Sequence, residues 1–135
     1  MFPTEIHILL IDKDLKSSEN IKKVLEEIRL PDHTIYVTLA HNVQEAIRIA
    51  SQILPQLIIT EIDLGSTKDG IEMIQEINQT LLSPVIYYTY LYNRDLLARA
   101  RNTPMINFLI KSKIGKFEEL KFAVELGLLE WQKNS

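Results

Sequence analysis

Residues Pro55–Ile74 read PQLIITEIDLGSTKDGIEMI. Leu57 to Ile62 (LIITEI) is a short run, apolar except at Thr60 and Glu61 and followed by Asp63. It is too brief for a helix and rich in β-branched residues, so it reads as a buried strand. Gly65 to Gly70 supplies turn residues. Ile71 to Asn78 then sets Ile71, Ile74 and Ile77 along one side, the spacing of an amphipathic helix. A buried strand that passes through a loop into a helix is one step of an alternating α/β chain.

The same step repeats in both directions. Toward the N-terminus, Ile6 to Ile11 (IHILLI) reads as a first strand and Ser17 to Arg29 as a helix with Ile21, Val24, Leu25 and Ile28 on one face, halted at Pro31. Thr34 to Ala40 (TIYVTLA) is a second strand, and Val43 to Ile53 is a helix that Pro55 ends. Toward the C-terminus, Pro84 to Thr89 is a fourth strand, Arg94 to Arg101 a short helix and Met105 to Ile110 a fifth strand. Lys116 to Trp131 closes the chain as a helix with Phe117, Leu120, Val124 and Leu128 along one stripe. Strands separated by one helix each run parallel. Their near-continuous apolar character fits a sheet covered on both faces. The expectation is a doubly wound five-stranded α/β sandwich, one domain over residues 1–135.

Composition narrows the function. With 135 residues, 46% of them hydrophobic, the chain buries a core without staples. There is no cysteine, which excludes disulfide scaffolds, thiolate metal sites and cysteine nucleophiles. A net charge of −3 gives no global positive field toward nucleic acid or anionic lipid. No apolar run approaches the roughly 20 residues a bilayer needs. Met1 to Leu10 lacks a basic region before its apolar run and carries Glu5 and His7 within it, unlike a secretory signal. A cytoplasmic protein is expected, with no membrane and no nucleic acid among the partners of this domain.

In doubly wound sheets the site lies outside the carboxyl ends of the strands. There the sequence sets Asp12, Lys13 and Asp14 after the first strand and Glu61 and Asp63 at the third. Thr89 ends the fourth, and Lys111 follows the fifth. Neither phosphate-cradling glycine motif occurs, which argues against a dinucleotide or nucleoside-triphosphate enzyme.

From Ile6 to about Leu129 the chain resembles a receiver domain of the two-component response regulators. ILLID (Ile8–Asp12) resembles the family's first strand with its terminal acids. PQLIITEIDLG and DGIEMI (within Pro55–Ile74) resemble the segment that holds the phosphoacceptor. PVIYYT (Pro84–Thr89) resembles the fourth strand with its switch hydroxyl. INFLIKS (Ile106–Ser112) resembles the fifth, with an aromatic at Phe108 and the site lysine at Lys111. The resemblance implies a flavodoxin-like fold with strand order 2-1-3-4-5 and a role in signal transduction rather than catalysis. It also implies signalling partners, a histidine kinase or an output domain among them.

Three departures fall on the chemistry. The phosphoacceptor position is Glu61, the family's acid pair reads Asp12–Lys13, and the proline that usually follows the lysine is Ser112. Magnesium takes near-octahedral oxygen ligands, usually one or two of them carboxylates. Lys13 removes one candidate, and two unit positive charges about 4 Å apart repel by about 4 kcal/mol at an effective dielectric of 20. Glu61 is longer than aspartate by about 1.5 Å, where a 1 Å misplacement costs about 100-fold. No metal is therefore expected, Asp12 being the ligand if Mg²⁺ binds at all. The expected function is a phosphorylation-independent interaction module. Glu61 would stand in for a phosphorylated aspartate, paired with Lys13 or Lys111, and Lys13 would bridge the rim toward Asp12 and Glu61.

Two further functions stay open. One is a working phosphorelay receiver that takes phosphate from a histidine kinase at Asp63 or Glu61, with Mg²⁺. The other is a small-ligand-binding protein or enzyme on the same scaffold. Asp14 serves either the rim or, equally, the cap of the first helix. His7, His33 and His41 lack ligand spacing and read as structural or solvent-facing. Tyr90 and Tyr92, beside the helix of Arg94, Arg99 and Arg101, form a candidate interaction surface, since aromatics and arginine are enriched at interfaces. A pair that merely covers the core edge is the alternative.

Overall fold

The computed structural model describes residues 4–111 and 117–133. Five strands alternate with five helices: β1 (Thr4–Ile11), α1 (Leu15–Glu26), β2 (His33–Ala40), α2 (Val43–Ile53), β3 (Leu57–Thr60), α3 (Gly70–Ile77), β4 (Val85–Thr89), α4 (Arg94–Ala100), β5 (Met105–Ile110) and α5 (Glu118–Lys133). All strand pairs are parallel, in the order β2-β1-β3-β4-β5. The doubly wound sheet and its order are those expected.

Alternation along β1 explains why its sequence shows none. Ile6, Ile8 and Leu10 enter a cluster with Ile21 and Leu25 of α1 and Leu120 and Val124 of α5. Leu9 and Ile11 face the other way, into a cluster with Ala46 and Ala50 of α2 and Ile71 and Ile74 of α3. Both faces of the strand are covered from Ile8 to Ile11, so neither face is polar there.

The bounds of α2 and β5 match the sequence pattern; others move for local reasons. Helix α1 begins at Leu15, earlier than Ser17, because the Asp14 carboxylate accepts the Ser17 N–H at 3.1 Å as its cap. It ends at Glu26, short of Arg29, where Glu27 and Ile28 donate back to Val24 and Leu25 in a tightened turn. Strand β3 stops at Thr60 rather than Ile62, because the Ile62 carbonyl accepts the Gly70 N–H at 2.8 Å and so belongs to the start of α3. Helix α5 runs to Lys133, past the expected Trp131. Its expected start, Lys116, and Ser112 lie outside the described residues.

β5 is an edge strand with an irregular register. Val85 pairs with Met105 and Ile86 with Asn107, which leaves Ile106 out of the ladder. Every one of the strand's residues keeps some solvent exposure, unlike those of β4.

One glycine is fixed by close approach. A side chain at Gly70 would collide with the Glu61 carbonyl oxygen and lie 3.0 Å from Ile62 Cα. Glycine therefore lets α3 start directly against the end of β3. We predict that Gly70→Ala destabilises the fold by about 1–3 kcal/mol through this overlap, read as a lower urea midpoint. An unchanged midpoint would contradict the packing described.

Candidate functional site

Parallel strands end together, and three of these ends deliver a buried cluster. Asp12 follows β1, with its N–H on the Ala40 carbonyl (3.0 Å). Glu61 follows β3, with its N–H on the Ile11 carbonyl (3.0 Å). Lys111 follows β5, with its N–H on the Thr89 carbonyl (2.8 Å). Backbone pairing thus aims Asp12, Glu61 and Lys111 at one point. All three are buried, with Glu61 5% and Lys111 8% exposed.

Lys111 Nζ donates to Asp12 Oδ2 at 2.5 Å and pairs with Glu61 Oε2 at 3.1 Å. Thr89 Oγ1, fully buried at the end of β4, donates to Glu61 Oε1. The same Oε1 accepts the Ile62 N–H at 2.8 Å. Asp12 Oδ1 accepts the Asp14 N–H at 2.9 Å. Two carboxylates thus share one ammonium, and their remaining oxygens are met by a hydroxyl and backbone N–H groups. Such satisfaction is what makes buried charge tolerable.

Burial alone would pull the Lys111 ammonium down. The Asp12 hydrogen bond and the charges of Glu61 and Asp12 outweigh it, and the net displacement is upward from 10.5. The rings of Tyr88 and Tyr90, 5.7 and 5.2 Å from Nζ, give the cation two aromatic neighbours.

Lys13 does not bridge to Asp12 or Glu61 as expected. Its Nζ lies 2.9 Å from Asp63 Oδ2 in a solvent-exposed pair. The reason is that Lys111 already sits between the two buried acids, which leaves Asp63 as the acid Lys13 meets. The hydrogen bond from Lys13 and then the Gly65 N–H hold the Asp63 carboxyl below its usual value. Asp14 caps α1 and also borders the cleft. That cleft, of about 230 Å³, is lined by Asp12, Lys13, Asp14, Glu61, Asp63, Tyr90, Leu91 and Lys111.

Asp12 Oδ2 and Glu61 Oε2 are both paired with Lys111 Nζ, and Asp63 is tied to Lys13. Among the described residues no group of three acids or histidines has metal-holding geometry.

Around the switch hydroxyl, Thr89 Oγ1 also accepts the Leu91 N–H at 3.0 Å, which couples it to the exposed Tyr90–Tyr92 loop. Phe108 is partly buried, 6.0 Å from the Tyr87 ring and 6.1 Å, edge-on, from that of Tyr92. Tyr87 is buried against Thr103 Oγ1 (2.8 Å), and burial pushes its phenol up to about 12. Arg94 is exposed at the start of α4.

Sequence reasoning missed two contacts. Arg99 pairs with Asp69 at 2.9 Å and so ties α4 to the cap of α3, whereas Tyr88 meets the site lysine. No spacing rule signals either, since both join separate elements. None of the histidines lines the cleft. His7 stacks on Tyr36 (5.6 Å), His33 meets Trp131 edge-on (5.9 Å) and His41 lies 3.6 Å from Glu45. Among the described residues no helix is long and apolar enough to cross a membrane.

Comparison with known proteins agrees with the fold. A family profile described as the response regulator receiver domain matches residues 8–125. A transcriptional regulatory protein, PdtaR, of Mycobacterium tuberculosis is 32% identical over 68 residues, covering 50% of this chain and 33% of that protein. The chain thus matches about a third of this relative's length. A two-component response regulator from Clostridium difficile superposes with a TM-score of 0.79 at 31% identity, over 91% of this chain and 95% of that one. A receiver domain protein from Clostridium thermocellum has a TM-score of 0.79 at 21% identity, over 96% and 99%, and shares the fold.

Removing Lys111 strands two buried acids. Lys111→Met should cost about 3–5 kcal/mol in chemical denaturation near neutral pH. A group raised in the folded state stabilises fully below its unfolded value and loses that contribution above. The difference between wild type and variant should therefore shrink as pH rises past 10.5. A difference that grows there would contradict the assignment.

Proposed function

The chain belongs to the response regulator receiver family, and from that premise we propose that it acts in two-component signalling as an interaction module that needs no phosphoryl group. One observation carries the reading: the Glu61 carboxylate itself holds Thr89 and Lys111. These are the hydroxyl and the ammonium that, by the resemblance, would meet a phosphorylated aspartate. Glu61 places a permanent negative charge at that point. The switch hydroxyl is thus engaged by the covalent sequence rather than by a kinase.

Chemical reasons support the same reading. Phosphoryl transfer to a carboxylate needs an oxygen free for in-line attack and a cation to neutralise developing charge. Both Glu61 oxygens already accept hydrogen bonds or pair with Lys111. Lys13 stands where the family carries a second acid. The domain, one receiver over 1–135, takes no Mg²⁺ and catalyses nothing. It presents Tyr90, Tyr92 and Arg94 to signalling proteins in the cytoplasm, a histidine kinase or an output domain being the partner classes the family suggests. Thr89, tied to Leu91, conveys the state of the site to that loop.

Intact-mass spectrometry after incubation with acetyl phosphate and Mg²⁺ tests the reading. The wild-type chain should show no phosphoryl adduct. Glu61→Asp alone should remain unlabelled, and Glu61→Asp with Lys13→Asp should gain the adduct. A labelled Glu61 or Asp63 in the wild-type chain would overturn the reading in favour of a working phosphorelay receiver.

A further inference from the structure

Helix α5 has an apolar stripe to spare. Leu120, Ala123, Val124 and Leu128 are buried against the sheet. On the opposite side Phe122, Leu126 and Leu129 are 64%, 48% and 44% exposed. A helix that is apolar on both sides belongs inside a larger assembly. With exposed Glu119 and Lys133, the outer residues fall at 119, 122, 126, 129 and 133, in steps of three and four. That is the seam spacing of helices packed side by side.

Beside the seam lies an apolar groove of about 410 Å³, bordered by Pro84, Ile106, Ala123, Gly127 and Trp131. The bulge that frees Ile106 from the ladder and the missing side chain at Gly127 open it. A side chain at Gly127 would lie 2.7 Å from Ile106 Cδ1.

We propose that this seam is an interface between two copies of this chain, with their α5 helices antiparallel about a two-fold axis at Leu126. The charges identify the occupant and its direction. Glu119 and Lys133 stand seven residues before and after Leu126. Antiparallel pairing places each Glu119 against the partner's Lys133, and Phe122 beside the partner's Leu129 and the mouth of the groove. Parallel pairing would set like charges opposite at both ends, which costs stability. A surface that complements itself in this way suits a closed two-fold dimer. In the single chain Lys133 pairs loosely with Glu130, 3.8 Å away and exposed. The inference uses none of the cleft residues and stands apart from the proposed function.

Sedimentation equilibrium of the full chain tests it. The wild type should dimerise, and Leu126→Glu, folded by circular dichroism, should raise the dimer dissociation constant by about 30-fold or more. Glu119→Lys should weaken the dimer, and adding Lys133→Glu should restore it. Because the chain has no cysteine, Leu126→Cys should form a disulfide-linked dimer on mild oxidation, whereas Glu19→Cys on α1 should not. A wild type that stays monomeric at every concentration would overturn the proposal, and so would a charge swap that fails to rescue.

Discussion

A buried ammonium held between two buried carboxylates governs the arrangement at the strand ends. Removing charges from water costs several kcal/mol per ion unless geometry and hydrogen bonds compensate. Here compensation is close to complete. Lys111 meets both Asp12 and Glu61, and Thr89 and backbone N–H groups satisfy the other oxygens. The exposed Lys13–Asp63 pair nearby is of another kind, since such pairs contribute roughly 0–1 kcal/mol. The two lysines differ in what their surroundings demand of them.

The fold supplies this precision cheaply in sequence terms. Parallel pairing brings the ends of β1, β3 and β5 to one rim, although Asp12 and Lys111 are 99 residues apart in the chain. Gly70 then lets α3 start against the Glu61 carbonyl, and Asp14 starts α1 beside Asp12. Loop and helix starts thus brace the acid positions. The same architecture leaves β5 at an edge of the sheet, and exposed apolar residues of β5 and α5 gather there.

Much of this was legible in the residues. The run IHILLI and the stop at Pro55 marked elements because burial on two faces and proline sterics act locally. Asp12, Glu61, Thr89 and Lys111 were locatable at the rim because strand ends and family spacing place them. The partner of Lys13 was not, since it depends on which cation reaches the buried acids, a contest settled by chain segments far apart. The early start of α1 follows from the Asp14 cap, a role the sequence offered for Asp14 alongside the rim but that apolar spacing alone does not place. Residues 117, 120, 124 and 128 formed one evident stripe leading into and along α5, but the second stripe emerges only when the sheet shows which side is covered.

Glu61 is proposed to occupy the place a phosphoryl group would take. Amide NMR spectra recorded before and after addition of beryllofluoride, a phosphoryl mimic, with Mg²⁺ address it most directly. Unchanged resonances are expected for Glu61, Thr89, Leu91 and Lys111. Saturable shifts at those amides would mean that the site still accepts metal and phosphoryl group, which would contradict a stand-in role for Glu61.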